Sequence, residues 1–436
     1  MHVGQSCFQN TTSAADPEGN DHPSRANEGI AVKLTGPHRV LAVTVVSLLL
    51  DPDDRVLSDA QSHSDLMARA RLVRAVGWAS IQTERALPDP LADLLLERVL
   101  DHEGPFATAA ERLGPEGVGA MMMRAAAEDL RVVQRVVTTA SFPDEAPSPA
   151  ISPRGELKRS IFTRADWSEA AVELALYFHR FGYWVLGRHR VFCWHDGLVP
   201  AVSPDPVSID DLVGYEDERQ LLAGNLDAFV AGRSANNALL YGDRGSGKSS
   251  TVKALAGLFP MERLRLVEVS RDGLWDFPQM VGHLRHRAGR FLLFVDDLSF
   301  DESDEGHGTF AGLKSLLEGG VESQPSNVLL YATSNRRHLV KEMAADRQAP
   351  TLGRGEVHVS DTFQEKISLS DRFGLRVLFL APDQDLYLRI CKHLAGRRGI
   401  EIEEAEALLW CRRHNARSCR TARQFVDHVS GRASRS

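Results

Sequence analysis

Five short, nearly unbroken apolar runs mark the second half of the chain: NALLYG (237–242), RLRLVEVS (263–270), RFLLFVDDL (290–298), NVLLYATSN (327–335) and LRVLFLA (375–381). Runs of this length with little polar alternation suit strands buried on both faces, and the helix-length connections between them suit parallel pairing. The first half has another period. PLADLLLERVL (90–100) and MMMRAAAEDLRVVQRVV (121–137) repeat apolar positions three and four residues apart, the first with proline at its helix start. DWSEAAVELALYFHRFGYWVLGRHRVFCW (166–194) continues the helical character behind Asp166, a good N-cap. Proline-rich breaks lie at 142–153 and 198–208, and beyond residue 382 only helices are predicted.

These patterns divide the chain into four parts: a disordered segment (1–36), a mainly helical N-terminal domain (37–200), an α/β core (205–381) and a helical lid (382–436). The longest apolar run, VLAVTVVSLLL (40–50), is shorter than the roughly 20 residues a bilayer requires. It reads as a buried core helix, and no membrane is implied. Tyr177, Phe178, Phe181, Tyr183 and Trp184 read as core in preference to a base-stacking stripe.

A length of 436 residues exceeds what one core supports, which agrees with several domains. The net charge of −8 argues against a chain that coats nucleic acid along its whole surface. Five scattered cysteines with no CxxC pair give no zinc-site spacing and suit reduced thiols. With no secretory signal at the N-terminus, a cytoplasmic location is expected.

The densest chemistry lies in Gly242-Asp243-Arg244-Gly245-Ser246-Gly247-Lys248-Ser249-Ser250, which follows a strand and opens a helix. The glycines allow backbone amides to turn inward, so that several N–H groups and a helix N-terminus face phosphate oxygens. Lys248 adds a positive charge toward the β- and γ-phosphates, and Ser249 is a magnesium ligand. FLLFVDDLSF (291–300) ends a buried strand in two carboxylates, an arrangement that is costly without a cation nearby. Asp296 is placed to hold Mg²⁺ through water and Asp297 to orient the attacking water, with nearby Glu302 a weaker candidate for that role. Asn335 closes the next strand, as a turn residue or as a hydrogen-bond donor to the γ-phosphate. Arg372, just before the fifth strand, either stabilises phosphate charge on a neighbouring subunit or pairs with Asp371 or Glu365. The run RRHNARSCRTARQFVDHV (412–429) carries arginines read as facing a bound nucleotide in preference to DNA.

In this order the elements resemble those of AAA+ ATPases. LVGYEDERQLLAGNLDAFVAGRSANNALLYGDRGSGKSS, LLFVDDLSF, LKSLLEGG, NVLLYATSNRRHL, EKISLSDRFGL and TARQFVDH are similar to the bacterial AAA+ family called domain of unknown function 815. The likeness runs from about residue 212 to 429, and more loosely from 177. It implies a three-layer parallel-sheet P-loop core with a small helical lid, preceded by the helical domain. It also implies that residues 242–249 are the Walker A loop, that Asp296 and Asp297 close Walker B, and that Asn335 is sensor 1. Arg372 becomes the trans arginine finger and Arg420 the sensor 2 arginine, while Val213 and Gly214 fall where adenine packs. The expected cofactors are ATP and Mg²⁺. The expected assembly is a homo-oligomeric ring acting on a protein or nucleic-acid client, with a nucleotide switch or a DNA-remodelling factor as alternatives. Walker B departs from the usual Asp-Glu: Asp297 is one methylene shorter, which implies slow hydrolysis.

Overall fold

The computed structural model describes residues 49, 59, 71–76, 85–140, 142, 146–148, 152–205, 207–270, 272–298, 324–335, 372–414 and 417–433. Residues 1–36, most of the 40–50 run, Glu302, Glu365 and Asp371 therefore lie outside the described residues; Leu49, from that run, is buried.

Beyond a helical stretch at residues 71–76, the described residues form five helices before the first strand: α1 (Pro90–Asp101), α2 (Pro105–Gly117), α3 (Ala120–Thr139), α4 (Pro153–Phe162) and α5 (Ala171–Phe181). Local signals set their ends. Asp89 caps α1 by accepting from the Leu91 and Ala92 amides, ahead of Pro90 in the first turn. Asp166 caps the 3-10 turn that leads into α5, and Gly182, at φ 75, ends α5. The apolar faces of these helices share one core, which includes Leu96, Phe106, Leu130 and Phe178.

Two strands follow, β1 (Val191–Trp194) and β2 (Leu198–Pro200), where the sequence pattern predicts helix and then a break. The aromatic-rich run from 177 to 194 is α-helical only as far as Phe181, with a 3-10 turn at Trp184–Gly187. Gly182 turns the chain, and Val191 to Trp194 alternates half-buried and buried positions beside β4 (Leu264–Val269). Tyr177, Phe178, Phe181 and Tyr183 are core residues, as expected, whereas Trp184 is 41% exposed with a left-handed backbone.

The remaining elements are α6 (Glu216–Val230), β3 (Ala238–Gly242), α7 (Lys248–Gly257), α8 (Phe277–Leu284), β5 (Arg290–Val295), β6 (Val328–Asn335), β7 (Leu375–Phe379), α9 (Gln384–Arg397), α10 (Glu404–Arg413) and α11 (Cys419–Ala433). All five predicted strands form within one sheet of order β2-β1-β4-β5-β6-β3-β7, parallel throughout except for the β2 edge. Alternate strand residues feed separate cores. Leu239, Val267, Leu293 and Leu330 meet Phe277, Met280 and Leu284 of α8 on one face. Leu240, Leu266, Leu292 and Leu329 meet Leu222 and Leu226 of α6 and Val252 and Leu255 of α7 on the other. This period-two division with both faces covered explains why each run is apolar throughout. The architecture is the three-layer P-loop core with a lid of α9–α11, and the lid has a core of its own around Tyr387, Ala407 and Phe425.

Arg265 of β4, wholly buried, joins the helical region to the sheet by donating to the carbonyls of Phe181, Leu186 and Ala288. Glu111 of α2 accepts from Arg287 Nε at 2.9 Å and from the Ala288 amide. Among the described residues no helix is long and apolar enough to cross a membrane.

Candidate functional site

The strand order places the carboxyl ends of β3, β5 and β6 together, and the polar residues of the sequence motifs meet there. Gly242 ends β3 at φ 141; a Cβ there would stand 2.0 Å from the Phe379 carbonyl oxygen, so only glycine fits beside β7. The following loop wraps into α7, whose N-terminus carries unpaired amides and the positive end of the helix dipole.

Lys248 is 7% exposed. Its ammonium donates to the carbonyl oxygens of Asp243 at 2.8 Å and Gly242 at 3.2 Å, and among the described residues it has no ion-pair partner. Burial pushes its pKa below the usual lysine value, against the pull of Asp243, Asp297 and Asp296. A buried ammonium held only by neutral oxygens is costly until an anion joins it, and that environment fits a phosphate.

Two hydroxyls converge on Asp296 Oδ1: Ser249 Oγ donates at 2.6 Å and Thr333 Oγ1 at 2.6 Å. Thr333 Oγ1 also accepts from the Asp297 amide at 2.8 Å. Asp297 adopts φ 54, a left-handed conformation that is uncommon outside glycine, and its carboxylate accepts a hydrogen bond from Asn335 Nδ2. Asn335 pairs with Gly242 in the β6–β3 register, which carries its amide to the same end of the sheet.

Above the loop lies the lid. The Cys419 amide donates to the Gly245 carbonyl at 2.8 Å, and a Cβ at Gly245 would stand 2.9 Å from Ser418 Cβ. The cavity between loop and lid measures about 590 Å³. It is lined by Val213, Gly214, Arg244, Gly245, Ser246, Gly247, Lys248, Ser249, Ser250, Asp296, Asp297, Asn335 and Arg420, all expected from sequence. Gly242 and Asp243 are not among the lining residues. Their carbonyls hold Lys248, and the Asp243 carboxylate accepts from the Ala381 amide at 2.8 Å. Arg372 is also absent from the cavity. It precedes β7, which runs parallel to β3, and so lies at the opposite end of the sheet from the loop.

Sequence reasoning missed Tyr215, Arg219, Thr333, Ile390, Leu394 and Cys419, which also line the cavity, as does Arg423 of the arginine run. Thr333 was detectable as a polar residue two positions before Asn335 on a largely apolar strand. Ile390 and Leu394 gave no signal, since lid apolar positions look alike until the lid is placed. Val213, Ile390 and Leu394 give the cavity an apolar end. Lys248, Arg244, Arg420 and Arg423 give it a cationic end, and these three arginines have no ion-pair partner among the described residues. A flat apolar ring joined to a polyanion matches both ends.

The sequence profile of the family described as "Protein of unknown function (DUF815)" matches residues 187–433. The large subunit of replication factor C from Methanococcus vannielii is 22% identical over 213 residues, covering 47% of this chain and 40% of that protein. The chain thus spans about two fifths of that relative's length. Among solved structures, the Thermotoga maritima RuvB Holliday junction branch migration motor is 19% identical, covers 52% of this chain and 65% of its own, and has a TM-score of 0.33. The Aeropyrum pernix ORC1 protein in complex with DNA is 16% identical over 53% of this chain and 63% of its own, with a TM-score of 0.38. The fold assignment rests on the strand order and the loop geometry, not on overlaps of this size. The family profile covers more than half of the sequence and takes in the whole cavity from Asp211 to Arg423, and the chain belongs to the DUF815 family.

Proposed function

We propose that the chain is an ATP-binding AAA+ ATPase that hydrolyses ATP to drive conformational change on a macromolecular client, with residues 205–381 as its core and 382–436 as its lid. The observation that carries this reading is the hydrogen bond from Ser249 to Asp296, which joins the phosphate loop to the acidic strand end beside the buried Lys248 ammonium. Lys248 and the loop amides hold the triphosphate, and Val213 and Gly214 with Ile390 and Leu394 receive adenine. Ser249 and Asp296 would hold Mg²⁺, which supplies positive charge to the β- and γ-phosphate oxygens when bound. Asp297 accepts a proton from, or orients, the attacking water, and Asn335 holds that carboxylate in place. Arg420 neutralises phosphate charge from the lid. Arg372, remote from its own cavity, serves a neighbouring subunit in a ring, in a cytoplasmic setting.

Phosphate release from Mg·ATP tests the reading: turnover that disappears in Lys248→Ala supports it, and turnover that persists overturns it. Arg372→Ala is expected to abolish turnover with ATP affinity nearly intact, and equal loss of both would remove the trans role. A second reading, a switch that binds ATP with negligible turnover, draws support from Asp297, whose short carboxylate is tied to Asn335. Tight binding without phosphate release would select it.

A further inference from the structure

A second cavity, of about 510 Å³, lies where the helical region meets the sheet. Its lining residues Gly289 and Asn327 immediately precede β5 and β6, so it sits at the opposite end of the parallel strands from the phosphate loop. Arg112 of α2, His179 of α5, and Arg285, His286 and Arg287 of the α8–β5 connection all line it. Among the described lining residues one carboxylate faces these five basic or protonatable groups. It belongs to Glu111 and is already engaged by Arg287 and the Ala288 amide. Arg112 and His286 are exposed and have no ion-pair partner among the described residues. The charge summed over the described lining residues is therefore opposite in sign to the chain's net −8.

The basic connection is pinned from several sides. Asn327 Nδ2 donates to the Leu284 carbonyl at 2.8 Å, Arg265 to the Ala288 carbonyl at 2.9 Å, and Glu111 accepts from the Ala288 amide. The Arg287 guanidinium stacks over Tyr183, 4.4 Å from its ring centre. Cations displayed on a scaffold fixed in this way lose little freedom when an anion docks. Guanidinium groups present paired donors that match phosphate oxygens. The volume falls in the range of roughly 300–1,000 Å³ that accommodates an organic ligand, well beyond a bare ion. Insertion into a lipid surface calls for apolar side chains beside the cations, and among the described residues Leu113 is the single large apolar one lining the cleft.

We infer that this cleft binds the sugar–phosphate backbone of a single nucleic-acid strand. The inference names the client class left open in the proposed function and depends on that reading only for the coupling of binding to ATP turnover. Direct base readout is not required, because phosphate contacts alone give salt-dependent affinity.

The test is fluorescence anisotropy of a labelled oligothymidylate strand titrated with the full chain, without nucleotide, across a range of salt concentrations. Saturable binding is expected, with log affinity falling linearly in log salt. Arg112→Glu combined with His286→Glu should weaken binding by on the order of tenfold or more at low salt and flatten the slope by about 0.7 for each phosphate left without its cation. Arg112→Lys should retain most of the affinity, and melting curves should show all variants folded. Absence of binding at low salt overturns the inference, as does binding that the charge reversal leaves unchanged. Displacement of the strand by polyglutamate at equal charge concentration would assign the cleft to an acidic protein and overturn it as well. Because no ATP is present, failure here leaves the ATPase reading untouched, and failure of that reading leaves this measurement intact.

Discussion

Buried charge is handled in opposite ways in the helical region and at the phosphate loop. On α1, Asp93, Glu97 and Asp101 recur four residues apart and meet three cations. Lys158 Nζ lies 2.8 Å from Asp93 and 2.9 Å from Glu97. Arg154 lies 2.7 Å from Glu97 and 2.6 Å from Asp101, and Arg188 lies 2.8 Å from Glu97. Three carboxylates offset three cations, and nothing is left over for a ligand. Lys248 is nearly as buried as Lys158, yet it meets only neutral oxygens, and Arg244, Arg420 and Arg423 around the same cavity are without ion-pair partners among the described residues. Both regions bury a lysine, whereas the three arginines around the cavity are exposed. Only the helical region sets carboxylates in contact with its buried lysine, and the cavity holding Lys248 is where an anion belongs.

The largest expected effect breaks the loop side of this comparison. Lys248→Met keeps the aliphatic stem and removes the charge; ATP turnover should fall at least a hundredfold in a phosphate-release assay, with the melting temperature unchanged or raised, since a costly buried charge is gone. The same change in the helical network should act in reverse. Lys158→Met leaves Asp93 and Glu97 short of a partner and should cost about 3–5 kcal/mol in denaturant unfolding, with nucleotide affinity of the folded protein unaltered. Thr333→Val sharpens the site side. Without its hydroxyl, Asp296 loses one donor and the Asp297 amide its acceptor. Turnover should drop by about tenfold, roughly 1.4 kcal/mol in barrier, with ATP affinity nearly unchanged and recovery in Thr333→Ser.

The smallest expected effect concerns acid stability. Burial alone would raise the Glu97 pKa, but Arg154, Lys158 and Arg188 outweigh it, and its carboxyl titrates below the usual 4.5. A carboxyl depressed on folding contributes stability that is complete above its unfolded value and is lost as pH falls through its folded one. Unfolding free energy should therefore decline below about pH 4.5, and Glu97→Gln should flatten that limb in melts recorded from pH 5 downward.

Much of the core was legible because its signals are local. A strand buried on both faces must be apolar throughout, as NALLYG and RFLLFV are, and a loop such as GDRGSGKS can cradle phosphate only with glycines at fixed offsets. What escaped is set by tertiary placement. Val191–Trp194 follows a helix in sequence and becomes strand because the edge of β4 is open beside it. Ile390 and Leu394 become cavity walls because α9 packs over Val213, which no periodicity in α9 reveals. The basic cleft is assembled from residues 112, 179 and 285–287, too far apart in sequence to read as one patch.

Calorimetric titration of the full chain with a non-hydrolysable ATP analogue and Mg²⁺ tests the central claim most directly, because it asks whether the unpaired cations around Lys248 are reserved for a triphosphate. Saturable binding of one nucleotide per chain that vanishes in folded Lys248→Met is the predicted result. No binding by the natural chain, or equal binding by the variant, would contradict the account.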